Sequence, residues 1–217
     1  NIQNYMHKEL SSKENKDFYQ QVIKMMRAAD FGISDIVIMR EDIHTKNLPF
    51  QIKVNQKKLN KINEINFYAI HEKFNKSKEK IDNIGFDIKH ESKGTQRIFD
   101  LSGPLIDTLQ NGKTLYIDEL NASLHPFLCQ FIIDLFHSKY NKNNAQIVFT
   151  THDSNLLSYE GLRRDQFWFV EKNKYGASEL FSLSEFKERN DTTNFEKRYL
   201  QGRYGAVPFV NSSVFEK

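Results

Sequence analysis

The sequence has little cysteine and no long apolar run. Its single cysteine, Cys129, cannot form an internal disulfide and lies in an apolar helical context, which favours a buried structural thiol over a nucleophile. No stretch approaches the roughly 18 apolar residues of a membrane helix, and no signal peptide is visible. These absences exclude a disulfide framework, and we expect a protein of the reducing cytoplasm with no membrane partner.

An excess of charge of one sign is also missing. The 31 basic and 28 acidic residues give a formal net charge of +3, which argues neither for nor against nucleic-acid binding. Hydrophobic residues make up 39% of the 217 positions, enough for one large domain or a domain plus an appendage. Because the first residue is Asn1 rather than Met, we expect an N-terminal portion to be missing from this chain.

The sequence lacks a phosphate-binding P-loop. Gly112-Lys113-Thr114 matches the last three residues of the pattern G-x-x-x-x-G-K-[ST], but Asp107 occupies the position of the first glycine. A phosphate cradle requires a strand followed by a helix, so that the helix N-terminus faces the anion. Here a predicted helix precedes the triplet and a strand follows it, so we interpret Gly112 as the end of a helix.

Hydrophobic periodicity predicts an α/β fold. Residues 41–83 are polar and rich in Asn and Lys, which indicates an insertion or an arm. Residues 102–104, Ser-Gly-Pro, are expected to break or kink a helix. Helices alternate with apolar strands beyond residue 85, which predicts buried strands in a mainly parallel sheet flanked by helices. The predicted helices are 8–29, 95–109, 126–140 and 155–159, and the predicted strands are 36–39, 66–71, 85–90, 113–117, 146–150 and 166–171.

Charged side chains follow two of these strands. Asp118-Glu119 comes directly after the strand at 113–117, and His152-Asp153 follows the strand at 146–150. Ligands of α/β proteins gather at the carboxyl ends of strands. One carboxylate can hold Mg²⁺ there, usually through water, while its neighbour orients or deprotonates the attacking water. Taken alone, each pair is also explained by a solvated strand end followed by a turn.

A third motif, Ser92-Lys93-Gly94-Thr95-Gln96, lies directly before a predicted helix. The combination resembles the ATPase head shared by ABC transporters, SMC proteins and their repair relatives. The third motif looks like the signature motif, in which a serine hydroxyl, glycine amides and a helix N-terminus surround a γ-phosphate. Residues 115–119 look like the Walker B strand, residues 121–125 take the place of the D-loop, and His152 that of the switch histidine.

A further set of segments comprises Glu91-Ser92-x-Gly94-Thr95, Asp118-Glu119-Leu120, Leu124-His125-Pro126, Thr150-Thr151-His152-Asp153, residues 163–169 and residues 199–208. With these segments the sequence resembles the RloA-type AAA ATPases of prokaryotic defence and abortive-infection loci. The resemblance covers residues 85–210 well and the first 84 residues loosely. It departs from ABC transporters at His125, where they usually carry Asp, and in lacking a P-loop and an assignable Q-loop, which this family carries in an N-terminal lobe.

The resemblance implies a division of the chain and an activity. Residues 1–84 would be a helical or arm-like connecting region, and residues 85–217 the C-terminal lobe of an ABC/SMC-type P-loop ATPase head. The intact protein would hydrolyse ATP with Mg²⁺ in a head-to-tail homodimer. The cycle would control an effector protein, commonly a nuclease or toxin, in anti-phage or abortive-infection defence, and nucleic-acid binding stays open. Without a P-loop, this chain alone is expected to be inactive.

The resemblance also assigns roles to residues. Asp118 would hold Mg²⁺ through water, Glu119 would act on the hydrolytic water, and His152 would contact the γ-phosphate and report its presence. In the dimer, the P-loop of one subunit would face the signature motif of the other. The nucleotide-binding residues would be Ser92, Gly94, Thr95, Gln96, Ala122 and Ser123.

Two other functions compete with this interpretation. The first is a catalytically inert, ABC-like interaction or regulatory module that retains the motifs as structure. The second is a metal-dependent nuclease of the overcoming-lysogenization type, with an ABC head joined to a Toprim domain. The second is disfavoured because residues beyond 160 contain no further Asp-x-Asp cluster after an apolar strand.

We interpret Arg203-Tyr204-Gly205 as a packed C-terminal turn in preference to a docking tail.

Overall fold

A computed structural model describes most of the chain. The described residues are 5–6, 9–10, 16–29, 32–39, 51–52 (backbone only), 66–187 and 194–208. Residues 8 and 11–15 of the helix predicted at 8–29 therefore lie outside them. So do residues 41–50 and 53–65 of the predicted polar segment. Within the described ranges no helix is both long and apolar enough to cross a membrane.

The described elements form a mixed α/β structure with small sheets. Strand bounds agree with the predicted ones to within a few residues, except that the strand predicted at 85–90 begins earlier than predicted. The helices are α1 (Lys16–Ala28), α2 (Lys93–Asn111), α3 (Pro126–His137) and α4 (Phe195–Leu200), and the strands are β1 (Ile33–Met39), β2 (Gln51–Ile52), β3 (Asn66–Phe74), β4 (Lys80–Asp87), β5 (Thr114–Ile117), β6 (Gln146–Phe149), β7 (Trp168–Lys172) and β8 (Ser178–Ser182).

The first sheet has the strand order β1-β3-β4-β2. The pairs β1–β3 and β3–β4 are antiparallel, and β2 pairs with β4 in parallel. β4 ends at Asp87, whose side chain accepts a hydrogen bond from the Lys89 backbone N–H and begins a 3-10 turn at Ile88–His90. The residues predicted to end this strand therefore form a turn that leads into α2.

One hydrophobic core joins the N-terminal helix to the later elements. α1 packs against α2 and β1. Its buried side chains belong to the same cluster as those of β5 and α3, so this core includes residues on both sides of residue 84. The buried side chains at its centre include Val22, Met26, Ile36, Ile98, Phe99, Leu105, Leu120, Ile132 and Ile133.

Helix α2 is continuous through residues 102–104, so of the predicted break or kink the break is wrong, and the kink stays a prediction. Pro104 lies inside the helix, and the Ser102 hydroxyl donates to the Phe99 carbonyl over 2.7 Å. Burial of residues along most of its length offsets the local cost of the proline. The prediction that Gly112 ends the helix is confirmed, because Gly112 adopts the left-handed conformation at φ +60°.

The strands β5 and β6 form a parallel pair in which Ile117 lies opposite Phe149. The expectation that both strands are buried is wrong for one face, where Tyr116 is 75% exposed and Val148 is 50% exposed. The remaining pair, β7–β8, is antiparallel, and β8 was not predicted. Parallel pairing within the described residues is therefore confined to β5–β6 and the short β2–β4 contact, so the prediction of a mainly parallel sheet is wrong for this part of the chain.

The C-terminal residues pack against the β7–β8 hairpin. Tyr204 is buried with Phe169, Leu183 and Leu157. The Tyr199 hydroxyl donates to the Ala206 carbonyl over 3.0 Å. These contacts place Tyr204 in a packed turn.

Gly112 and Gly202 allow a matched test of the packing around the C-terminal end of α2. Both have positive φ, but a Cβ at Gly112 would lie 2.4 Å from the Asn143 carbonyl, whereas a Cβ at Gly202 would meet nothing within 4 Å. We predict that Gly202→Ala lowers the free energy of unfolding by about 1 kcal/mol and Gly112→Ala by at least about 2 kcal/mol. Denaturant unfolding of the two variants measures this, and equal losses would contradict the close approach of Asn143.

Candidate functional site

The carboxyl ends of β5 and β6 meet at one edge of the parallel pair. The Thr150 N–H donates to the Ile117 carbonyl over 3.0 Å, and the Leu120 N–H donates to the Thr150 carbonyl over 2.9 Å. These two hydrogen bonds continue the pairing past the ends of the strands. They bring Asp118-Glu119 and the residues that follow Thr150 to the same place.

The Thr150 hydroxyl links the two predicted carboxylates. It donates to Oδ1 of Asp118 over 2.6 Å and accepts from the Glu119 backbone N–H over 2.8 Å. Sequence analysis gave Thr150 no role, because its contact with Asp118 depends on the register of two strands that are distant in the sequence. Thr150 therefore fixes both the Asp118 side chain and the backbone from which the Glu119 side chain projects.

Glu119 and His152 face each other across this edge. The Nε2 atom of His152 lies 3.6 Å from Oε1 of Glu119, and their side chains are 83% and 56% exposed. Glu119 has a φ of +49°, which is costly for a residue other than glycine and is common at functional sites. The Ala122 N–H donates to the Glu119 carbonyl over 2.9 Å and helps to hold this conformation. The structure thus brings together two residues that the sequence predicted to be catalytic.

Asn121 connects the turn after β5 to the segment after β6. Its Oδ1 atom accepts from the Thr151 hydroxyl over 3.0 Å and from the His152 backbone N–H over 3.3 Å. The sequence placed Asn121 in a loop without giving it this role. Further along, Ser154 and Ser158 donate to the carboxylate of Glu196 in α4, over 3.2 Å and 3.1 Å. The His152 segment is therefore held on both sides.

Ser92 is the N-cap of α2. Ser92 is an exposed residue, and its hydroxyl accepts from the Thr95 N–H over 3.1 Å and lies 2.8 Å from the Thr95 hydroxyl. Thr95 is buried, and the Gln96 amide donates to the carbonyls of Lys89 and Glu91. The side chains of Thr95 and Gln96 thus shape the turn, while the Ser92 hydroxyl lies at the positive end of a 19-residue helix, where anions bind well.

The Ser92 turn, residues 92–96, packs against the turn after β5, residues 118–124. A Cβ added to Gly94 would lie 3.1 Å from the Ser123 carbonyl, so a larger residue would push the two turns apart. Ser123, next to the half-buried Ala122, has a φ of +62°. From the first turn of α2, Arg97 also donates to the Asp118 carbonyl over 3.4 Å. The two predicted groups of nucleotide-binding residues are therefore neighbours within one chain.

The chemistry of these side chains fits Mg²⁺ and a phosphate. Mg²⁺ prefers oxygen ligands and is commonly held by one or two carboxylates together with waters and substrate phosphates. Asp118 is exposed and supplies such a carboxylate. In the described part of the chain, no group of three or more His, Cys, Asp or Glu side chains could hold a metal ion without other ligands. These side chains therefore suit a metal ion that is also bound by the phosphates of a nucleotide.

Cys129 takes no part in the site. It is fully buried, and burial, followed by the charge of Asp153, raises the pKa of its thiol to about 11. Because the thiolate is the nucleophilic form, a thiol with this pKa is unreactive near neutral pH. The structure agrees with a structural role.

Comparison with known proteins identifies one family. The sequence profile of the family described as "AAA domain, putative AbiEii toxin, Type IV TA system" matches residues 5–158. The match includes α1, the first sheet, the Ser92 turn and the ends of β5 and β6. A comparison with curated proteins finds no match.

The Thr150 hydroxyl can be tested in the isolated chain. We predict that Thr150→Val lowers the free energy of unfolding by about 1 kcal/mol, because the Glu119 N–H and the Asp118 carboxylate both lose a partner. Thr114→Val is the matched control, since its exposed hydroxyl makes only a 3.4 Å contact with Gln146. Thermal or denaturant unfolding gives both values, and an equally small effect of the two substitutions would show that Thr150 does not hold the strand ends together.

Proposed function

This chain belongs to the family of AAA domains described above, and from that premise we propose that it is the C-terminal lobe of an RloA-type, ABC/SMC-like ATPase head. AAA domains in general are ATPases that bind ATP and Mg²⁺. The proposal of an ABC/SMC-like head rests on the positions of Asp118, Glu119 and His152, which lie together at one edge of the sheet. The Ser92 turn packs beside the same edge, as a signature motif would.

The side chains at the sheet edge suit the hydrolysis of a phosphoanhydride bond. We assign Asp118 to Mg²⁺, through water, and Thr150 to holding the Asp118 carboxylate in place. Bound Mg²⁺ would neutralise charge on the phosphates of ATP. Glu119 orients the attacking water and accepts its proton, and His152 contacts the γ-phosphate from the opposite strand end. Asn121 positions the His152 backbone for this contact.

The Ser92 turn serves the nucleotide of a second subunit. The hydroxyl of the exposed residue Ser92 and the N-terminus of α2 offer hydrogen-bond donors to a γ-phosphate. Gly94 lets the turn lie close to Ser123, and Thr95 and Gln96 keep its shape. In this proposal two subunits form a head-to-tail homodimer with composite sites, and Ala122 and Ser123 lie at the contact between the sites.

The open face of β5–β6 supports a lobe that packs against this chain. Parallel sheets are normally covered on both faces, yet Tyr116 and Val148 are exposed here. We propose that residues 85–217 are covered on this face by the lobe that carries the P-loop, while residues 1–84 form the connecting region. The ATP cycle of the complete cytoplasmic protein would then control an effector, a nuclease or toxin, in anti-phage or abortive-infection defence.

The role of Glu119 predicts a trapped dimer. The full-length protein with Glu119→Gln should bind ATP and dimerise, and its turnover should fall by about 100-fold or more because the general base is lost. Steady-state ATPase assays and sedimentation with ATP measure both properties. Glu179→Gln, the same substitution at an exposed glutamate of β8, is the control. Unchanged turnover of the Glu119 variant would remove Glu119 from this role.

The absent P-loop predicts the behaviour of the isolated chain. The 217 residues alone should show negligible ATPase activity and weak affinity for ATP, because they supply no phosphate cradle for their own nucleotide. Isothermal titration calorimetry with ATP and Mg²⁺ tests this. Micromolar binding would contradict the assignment of this chain as a C-terminal lobe and favour a self-sufficient nucleotide-binding module.

A further inference from the structure

A side-chain hydrogen bond connects the first sheet to the Ser92 turn. The Nε2 atom of His71, in β3, lies 2.8 Å from Oε1 of Glu91, the residue directly before Ser92. Resting on the function proposed above, we propose that His71 and Glu91 are positioning residues that hold the Ser92 hydroxyl in register for the nucleotide of the opposite subunit.

The surroundings of the His71–Glu91 hydrogen bond shield it from water better than those of an exposed pair in the same sheet. The side chains of His71 and Glu91 are 23% and 15% exposed, and the His71 ring packs edge-on against Phe86 with 5.5 Å between centroids. By contrast, Lys80 and Glu72 of the same sheet form a 2.7 Å pair whose side chains are 48% and 40% exposed. Solvent screens the exposed pair, whereas the partly buried pair keeps more of its attraction and has less freedom to move.

Glu91 is held from two directions. Its carboxylate contacts His71 in the sheet, and its backbone carbonyl accepts from the Gln96 amide over 2.8 Å, on the side of α2. Its N–H donates to the Ile88 carbonyl over 3.2 Å. With the residue before Ser92 fixed at its side chain and at both backbone groups, the position of the Ser92 hydroxyl follows from the position of β3.

This arrangement separates two properties of the enzyme. In the proposed dimer the Ser92 turn contacts the nucleotide of the other subunit and not that of its own subunit. Loosening the Ser92 turn should therefore impair ATP-dependent dimerisation and turnover. Binding of ATP to the P-loop of a single subunit should not change. A displacement of about 1 Å at a positioned group is enough to lower a rate by about 100-fold.

The test uses the full-length protein and the variants His71→Ala, His71→Gln and Lys80→Ala. His71→Ala should lower kcat and weaken ATP-dependent dimerisation by about 10-fold or more, with Kd for ATP unchanged in the dilute monomer. His71→Gln should recover most of both properties, because its amide can donate to Glu91. Lys80→Ala, which removes the exposed pair of the same sheet, should match the wild type.

A parallel Ser92→Arg variant separates failure of this inference from failure of the proposed function. If Ser92→Arg abolishes turnover and His71→Ala does not lower it, the inference is overturned while the proposed function stands. If His71→Ala lowers the melting temperature and ATP affinity together and His71→Gln restores neither, His71 is only structural, which also overturns the inference. If Ser92→Arg leaves turnover and dimerisation intact, the proposed function itself fails, and the inference with it.

Discussion

The parallel pairing of β5 with β6 is the constraint on which the rest of the site depends. Because both strands run in the same direction and end in register, the residues that follow them emerge at one edge. The Thr150 hydroxyl then joins the two ends by contacting Asp118 and the Glu119 backbone. Without this pairing, the acidic pair and His152 would be separate charged turns on the surface, which is the alternative that the sequence alone left open.

The second half of the site depends on a long helix anchored in the core. α2 is buried along much of its length against α1, so its N-terminus has a fixed position. Gly94 allows that N-terminus to approach the Ser123 carbonyl closely, and Arg97 reaches the Asp118 carbonyl. Groups that sit on rigid elements keep their geometry better than groups on free loops. The Ser92 turn and the carboxylate edge therefore behave as one unit within a subunit.

The sequence predicted the parts of this arrangement that are local. Apolar runs located β5 and β6 to within a residue, and Gly112 marked the end of α2 because that backbone conformation favours glycine. Contacts between distant residues could not be predicted, since they depend on strand register and helix placement. The contacts of Thr150 with Asp118 and of His71 with Glu91 are of this kind. The continuity of α2 through Pro104 was also missed, because packing in the core overrides a local propensity.

Mixing two inactive full-length variants tests the central claim, a composite site, most directly. A mixed dimer of Glu119→Gln and Ser92→Arg subunits contains one site with neither substitution if the Ser92 turn acts on the opposite subunit. An equal mixture should then regain up to about a quarter of wild-type ATPase activity, the value reached when half of the dimers are mixed and each has one intact site of two. If the mixture stays as inactive as its components while mixed dimers form, the Ser92 turn does not serve the opposite subunit, and the account is contradicted.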